Sequence, residues 1–294
     1  MRSSEPFVHR FHAMTVVCEV QIFGSCKANQ IAQLIEQNTR RLEQKYNFYS
    51  TQSWLHSALN QRQSQDVKLN DESLVVFQAL QTLVQATQGV FDPTVGTVKY
   101  LASLNSSLGR EEVYKRASQA MGVCSWSIRD NFLHIPHADT RFDLGGVIKE
   151  FAIDQAVNIA DSLGAGGALI NFGGDIRALK TKGDSTPFNV AVLNPANPSE
   201  PFFSLPLEDA ALTTSAHYER KAQFADQQTS HILAEKGVHS KVLSVTVVAP
   251  TALEAGALST ALTIDPLLPV PKGVGVIFID DQLSIHQDTE FLAQ

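Results

Sequence analysis

The stretch Asp143-Leu144-Gly145-Gly146-Val147-Ile148-Lys149, followed by a run of apolar residues at helical spacing, constrains this chain more than any other segment. Ile148, Ala152, Ile159 and Leu163 fall on one face, which predicts an amphipathic helix from Val147 to about Ser162. A helix start offers unpaired N–H groups and partial positive charge, a setting suited to phosphate. Gly145 and Gly146 let a ligand approach the backbone with no Cβ in the way, and Lys149 adds a point charge at the same end. An ordinary loop–helix junction has the same pattern, so other segments must decide.

The chain has 294 residues, enough to bury a sizeable core. Its formal net charge of -7 argues against nucleic acid as the main partner, since phosphate backbones demand basic clusters. A single ligand phosphate needs only a local site. Cys18, Cys26 and Cys124 make no metal-ligand spacing, and so sparse a set suits a reducing compartment. Met1-Arg-Ser-Ser-Glu-Pro lacks the apolar core of a secretory signal, and no apolar run reaches membrane-spanning length. The expected location is therefore cytoplasmic.

Along the chain, Ala13 to Phe23 alternates as a strand should, and residues 28 to 46 carry helical spacing. Asn70-Asp71 opens a helix that Thr87-Gln88-Gly89 closes. Short strands are expected at Phe132–Ile135, Ala168–Phe172, Phe188–Val192 and Val245–Val248. Asn194 to Pro201 reads as a Pro/Asn loop, the best insertion or linker point. Helices and hairpin-like strand pairs interspersed in this way favour an α+β fold.

Four further segments pair glycine or small residues with a polar group. They are Gly89-Val90-Phe91-Asp92-Pro93-Thr94-Val95-Gly96, Asn171-Phe172-Gly173-Gly174-Asp175, Thr213-Thr214-Ser215-Ala216-His217-Tyr218-Glu219-Arg220, and Ser244 through Thr260. In this order and spacing they resemble the ApbE family, flavin transferases that move FMN from FAD onto a protein threonine. The resemblance covers nearly the whole chain. It implies one ApbE-like catalytic domain over residues 1–294, or two interleaved subdomains, with mixed or antiparallel sheets and packed helices around a central flavin cleft.

By the same resemblance, Asp143 and Lys149 contact FAD, and the backbone carbonyl of Gly146 helps hold Mg²⁺. Val90, Phe91 and Asp92 lie along the flavin, and Met14 and Tyr46 line it. Phe91-Asp92-Pro93 also fits a helix-ending turn with a buried ring, and a Met or Tyr on an apolar face is often simply core. His231 corresponds to a histidine that takes the proton of the acceptor hydroxyl, a task suited to a group titrating near neutrality. Ile232 is the neighbouring FAD contact. The partners so implied are FAD and an acceptor flavoprotein with a target threonine; a homodimer is compatible with the chain.

Three departures from the family pattern stand out. Glu150 replaces the glycine that usually follows the lysine. Ala234-Glu235-Lys236-Gly237 stands where relatives read Asp-Pro-x-Thr-Gly. Gly256 replaces an aspartate that, with the threonine matching Thr260, grips Mg²⁺. Gly256 and Thr260 share one helix face. Mg²⁺ is normally anchored by at least one carboxylate together with substrate phosphates. Glu254 is the nearest acid in sequence, but Thr251 and Glu254 form a capping box, and Glu254 points roughly 200° away around the helix. From sequence, Gly256→Asp is expected to raise Mg²⁺ affinity. Three functions are open: an active FMN transferase, a transfer-deficient FAD-binding relative serving as carrier or regulatory subunit, or an interaction protein that kept only the fold, which the intact glycine-rich loops disfavour.

Overall fold

The computed structural model describes residues 5–104, 109–216, 221–223, 228–230 and 241–289. In chain order the elements begin with β1 (Phe7–Ala13), β2 (Val16–Phe23), α1 (Ala28–Tyr46), β3 (Asp66–Lys68), α2 (Asp71–Ala86), α3 (Gly96–Leu104) and α4 (Arg110–Ala117). They continue with β4 (Ser127–Arg129), β5 (Phe132–His134), α5 (Gly145–Ser162), β6 (Gly167–Phe172), β7 (Asp175–Lys180), β8 (Phe188–Asn194) and β9 (Asn197–Leu207). The last are β10 (Ala211–Ala216), β11 (Lys221–Gln223), β12 (Gln228–Ser230), β13 (Val242–Ala249), α6 (Ala252–Ile264), β14 (Gly275–Asp280) and β15 (Ile285–His286).

Eight strands form one sheet in the order β1-β2-β6-β7-β10-β13-β14-β15, antiparallel at every pairing, so the α+β expectation holds. Helices α1, α5 and α6 pack on this sheet, and α5 packs against both α1 and α6. Ile31, Ile35 and Leu42 of α1 join Val20 and Ile22 of β2, Ile153 and Ala156 of α5, and Leu258 and Ala261 of α6 in the main core. Helix α6 is buried nearly all round, as its almost uniformly apolar sequence requires. No helix among the described residues is long and apolar enough to cross a membrane.

Two expectations are corrected. Ala13 to Phe23 is not one strand: Met14 and Thr15 form a two-residue turn between β1 and β2. Both carry positive φ, 51° and 65°, as tight hairpin turns demand, without the Gly or Asn that would have announced the turn. Asn194 to Pro201 is a hairpin rather than a linker. Asn194 Oδ1 accepts from the Ala196 N–H at 2.9 Å, an Asx turn, and β9 resumes at Asn197. Pro198, Pro201 and Pro206 are tolerated because β8 and β9 form a two-stranded ribbon in which β9 has a free edge. The inward side chains Phe188, Val190, Val192 and Leu207 pack with Phe23, Ile176 and Leu212 in a second core.

Candidate active site

The start of α5 lies where the sequence placed it, with a looser first turn. The helix begins at Gly145, and Gly146 departs from helical geometry (φ -89°, ψ 17°). Both glycines are exposed, and a Cβ on Gly146 would meet nothing within 4 Å. The backbone is open to a ligand there. The Asp143 N–H donates to the Pro93 carbonyl at 2.9 Å, which joins the Phe91-Asp92-Pro93 loop to the head of α5.

Asp143 and Lys149 do not pair with each other. Asp143 Oδ1 accepts from the Gly145 N–H at 2.9 Å, and Oδ2 pairs with the Lys99 ammonium. Burial would pull the Lys99 ammonium down, but the adjacent Asp143 charge outweighs it and holds Lys99 above its ordinary range. The Lys149 ammonium lies 2.5 Å from Asp175 Oδ2 and 3.5 Å from Glu150 Oε1. Asp175 follows the Gly173-Gly174 turn between β6 and β7, whose Gly173 N–H donates to the Val17 carbonyl at 3.0 Å. A Cβ on Gly173, at φ +64°, would press Val16 Cγ1 at 2.7 Å. This close approach brings the Met14 turn and Asp175 to the same end of the sheet.

Glu150 turns inward. Its residue is 4 % exposed, and Oε2 has no hydrogen-bond partner among the described residues. Burial pushes its carboxyl up to about 8, opposed by Lys149 and reinforced by Asp175. Its side chain fills the gap left by the missing one on Gly256: a Cβ there would lie 2.7 Å from Glu150 Cγ and 3.2 Å from Cδ. One turn beyond Gly256, Thr260 Oγ1 lies 3.3 Å from Ser215 Oγ, which lies 2.9 Å from Ser259 Oγ. Ser259 Oγ also accepts from Thr213 Oγ1 at 3.2 Å, so β10 and α6 share a hydroxyl cluster. The capping threonine is as expected, with Thr251 Oγ1 accepting from the Glu254 N–H at 3.2 Å. No group of three or more His, Cys, Asp or Glu side chains among the described residues could hold a metal.

The other sequence-derived residues divide. Asp92 Oδ1 accepts from the Thr94 N–H at 2.8 Å and from Thr94 Oγ1 at 2.5 Å, so this carboxylate organises its own loop. Phe91 is 8 % exposed and belongs to the main core, while Val90 is half-buried against it. Met14 is half-buried, and its N–H donates to Glu43 Oε1 at 2.5 Å. Tyr46 is buried edge-to-face on Trp54, its hydroxyl 3.1 Å from Ser73 Oγ. His231 and Ile232 lie outside the described residues. Sequence reasoning missed Lys99, Asp175 and the inward Glu150. The last two were visible as the end of a glycine turn and as a departure from pattern; Lys99 carried no signal.

The family model for the ApbE family matches residues 14–270. The FAD:protein FMN transferase of Treponema pallidum (strain Nichols) is 24 % identical over 276 residues, covering 83 % of this chain and 75 % of that one. Similarity to the FAD:protein FMN transferase of Escherichia coli (strain K12) is 26 % over 130 residues, 43 % of this chain and 37 % of that protein. The crystal structure of the ApbE protein of Thermotoga maritima superposes with a TM-score of 0.83 at 24 % identity, covering 98 % of this chain and 99 % of that one.

Proposed function

Since the chain belongs to the ApbE family, we propose that it is an FAD:protein FMN transferase that moves FMN from FAD onto a threonine hydroxyl of an acceptor flavoprotein. The observation that carries this reading is the open backbone at Gly145-Gly146, flanked by Asp143 and Lys149. Lys149 and the N-terminal end of α5 bind and orient the pyrophosphate. Asp143, held by Lys99 and by the Gly145 N–H, fixes the loop that receives FAD.

The acceptor threonine oxygen attacks the FMN phosphorus, the phosphoanhydride bond breaks, and AMP leaves with the bonding electrons. The threonine proton passes to a base, His231 by the family resemblance or another group near it. The oxygen donors in this region suit a hard cation such as Mg²⁺: the Thr260 hydroxyl, the Gly146 carbonyl and the unpartnered buried Oε2 of Glu150. When bound, that ion supplies neutralisation of charge on the pyrophosphate. The carrier reading drew on the missing carboxylate at position 256, and the Glu150 side chain filling that space weakens its ground.

The test is direct. The protein is incubated with FAD, Mg²⁺ and a threonine-bearing acceptor fragment, and flavin fluorescence is read on a denaturing gel. Flavin retained by the acceptor supports transfer. A yellow protein beside a dark acceptor band supports the carrier.

A further inference from the structure

Gly256 has room for no side chain, because Glu150 already stands in that space. The overlap is specific: the nearest atoms to an added Cβ are Cγ, Cδ and Oε1 of Glu150, at 2.7, 3.2 and 3.5 Å. The carboxyl group of Glu150 is thus delivered from α5 to the region that a short acidic side chain at 256 would reach from α6. Thr260 lies one turn along α6 on the same face, and Gly146 one turn before Glu150 on α5. A second, independent observation is the state of Glu150 Oε2. It is buried with no hydrogen-bond partner among the described residues, which folded proteins seldom leave unexplained. Lys149 does not resolve it, since its ammonium is closer to Asp175 and approaches the other oxygen of Glu150, and the neighbouring Asp175 carboxylate, which favours the neutral form of Glu150, brings no donor of its own.

We propose that Glu150 is the carboxylate ligand of a divalent-cation site shared by α5 and α6, with the Thr260 hydroxyl and the Gly146 carbonyl as its other protein donors. The carboxylate has moved from one helix to its neighbour while keeping its place in space. One protein carboxylate with phosphate oxygens and water is the usual way of holding Mg²⁺, so FAD completes the site. This inference rests on the transferase reading for the identity of the phosphate donor.

Mn²⁺ is the probe, followed by electron paramagnetic resonance with excess FAD and the full chain. Glu150→Gln should weaken Mn²⁺ binding by about tenfold or more, while metal-free FAD binding stays within about twofold. The double substitution E150G/G256D, which moves the carboxylate back to α6, should recover most of the affinity. E150G/G256A, which clears the overlap but leaves no carboxylate, should not. Should Glu150→Gln fail to fold, the comparison of the two double variants decides. Unchanged Mn²⁺ affinity in Glu150→Gln, or equal affinities in the two double variants, overturns the proposal. Failure of flavin transfer to an acceptor, with Mn²⁺ affinity still dependent on Glu150, would sink the transferase reading and leave the site standing.

Discussion

The Asp154 carboxylate on α5 accepts a hydrogen bond from the Ala252 N–H at 2.8 Å, at the first residue of α6. It accepts another from the Leu253 N–H at 3.0 Å and pairs with Arg177 of β7 at 2.7 Å. A side chain of one helix thus satisfies two of the four orphan donors of the next, and fixes the angle at which α6 presents Gly256 and Thr260. Asp154→Ala leaves those donors unpaired and Arg177 largely buried without its anion. The expected loss is about 3 kcal/mol, read as a lower midpoint in urea unfolding. An unchanged midpoint would show that α6 is docked by its apolar faces alone.

Gly256→Asp by itself should destabilise the protein rather than improve metal binding. This reverses the expectation from sequence, because the new Cβ would overlap Glu150 Cγ at 2.7 Å. Overpacking of this kind typically costs about 1–3 kcal/mol. Thermal unfolding of Gly256→Asp, compared with E150G/G256D, measures it. The double variant should unfold at the higher temperature, and equal melting would mean the overlap relaxes freely.

Lys149→Met should weaken FAD binding by about tenfold, or about 1.4 kcal/mol, and leave riboflavin binding nearly unchanged. The ammonium pairs with Asp175 at the open end of α5, where phosphate and not the isoalloxazine ring would lie. Titrations followed by flavin fluorescence distinguish the two ligands. A parallel loss for riboflavin would place Lys149 against the ring.

Acid should unfold the protein partly through Glu72. Burial alone would raise this carboxyl, but hydrogen bonds and charge from Arg41 and Lys45 outweigh it and hold it below its ordinary 4.5. A carboxyl with a depressed folded-state value stabilises the fold above its unfolded value, and loses that contribution as pH falls through the folded one. Unfolding free energy should therefore drop below about pH 4.5 through this group, and Glu72→Gln should flatten that limb. Identical acid limbs in the two proteins would remove Glu72 from the account.

Much of this fold was legible because periodicity is local. Apolar spacing placed α1 over Ala28–Tyr46, and Asn70 marked the start of α2, where its side chain accepts from the Ser73 N–H at 2.9 Å. The Met14-Thr15 turn was illegible because two residues without turn propensity are held at positive φ by the hairpin around them. Pro198 and Pro201 misled in the opposite sense, since proline forbids a central strand but not an edge. At the site, Asp143-Leu144-Gly145-Gly146 made the helix start readable, and only the four further glycine-bearing segments made it a candidate site. The partners of its charges were not. Lys99 reaches Asp143 across 44 residues of sequence, and Glu150 meets Gly256 only because α5 and α6 pack together. The departures at 150 and 256 looked independent in one dimension; in three, the Glu150 side chain occupies the space that a Cβ on Gly256 would need.

The intact mass of a threonine-bearing acceptor fragment, after incubation with this protein, FAD and Mg²⁺, decides whether FMN is transferred. The fragment should gain one FMN less one water, with AMP released in equal amount and the gain lost when the target threonine is replaced by valine. An acceptor of unchanged mass, recovered beside a protein that has bound FAD, would contradict transfer.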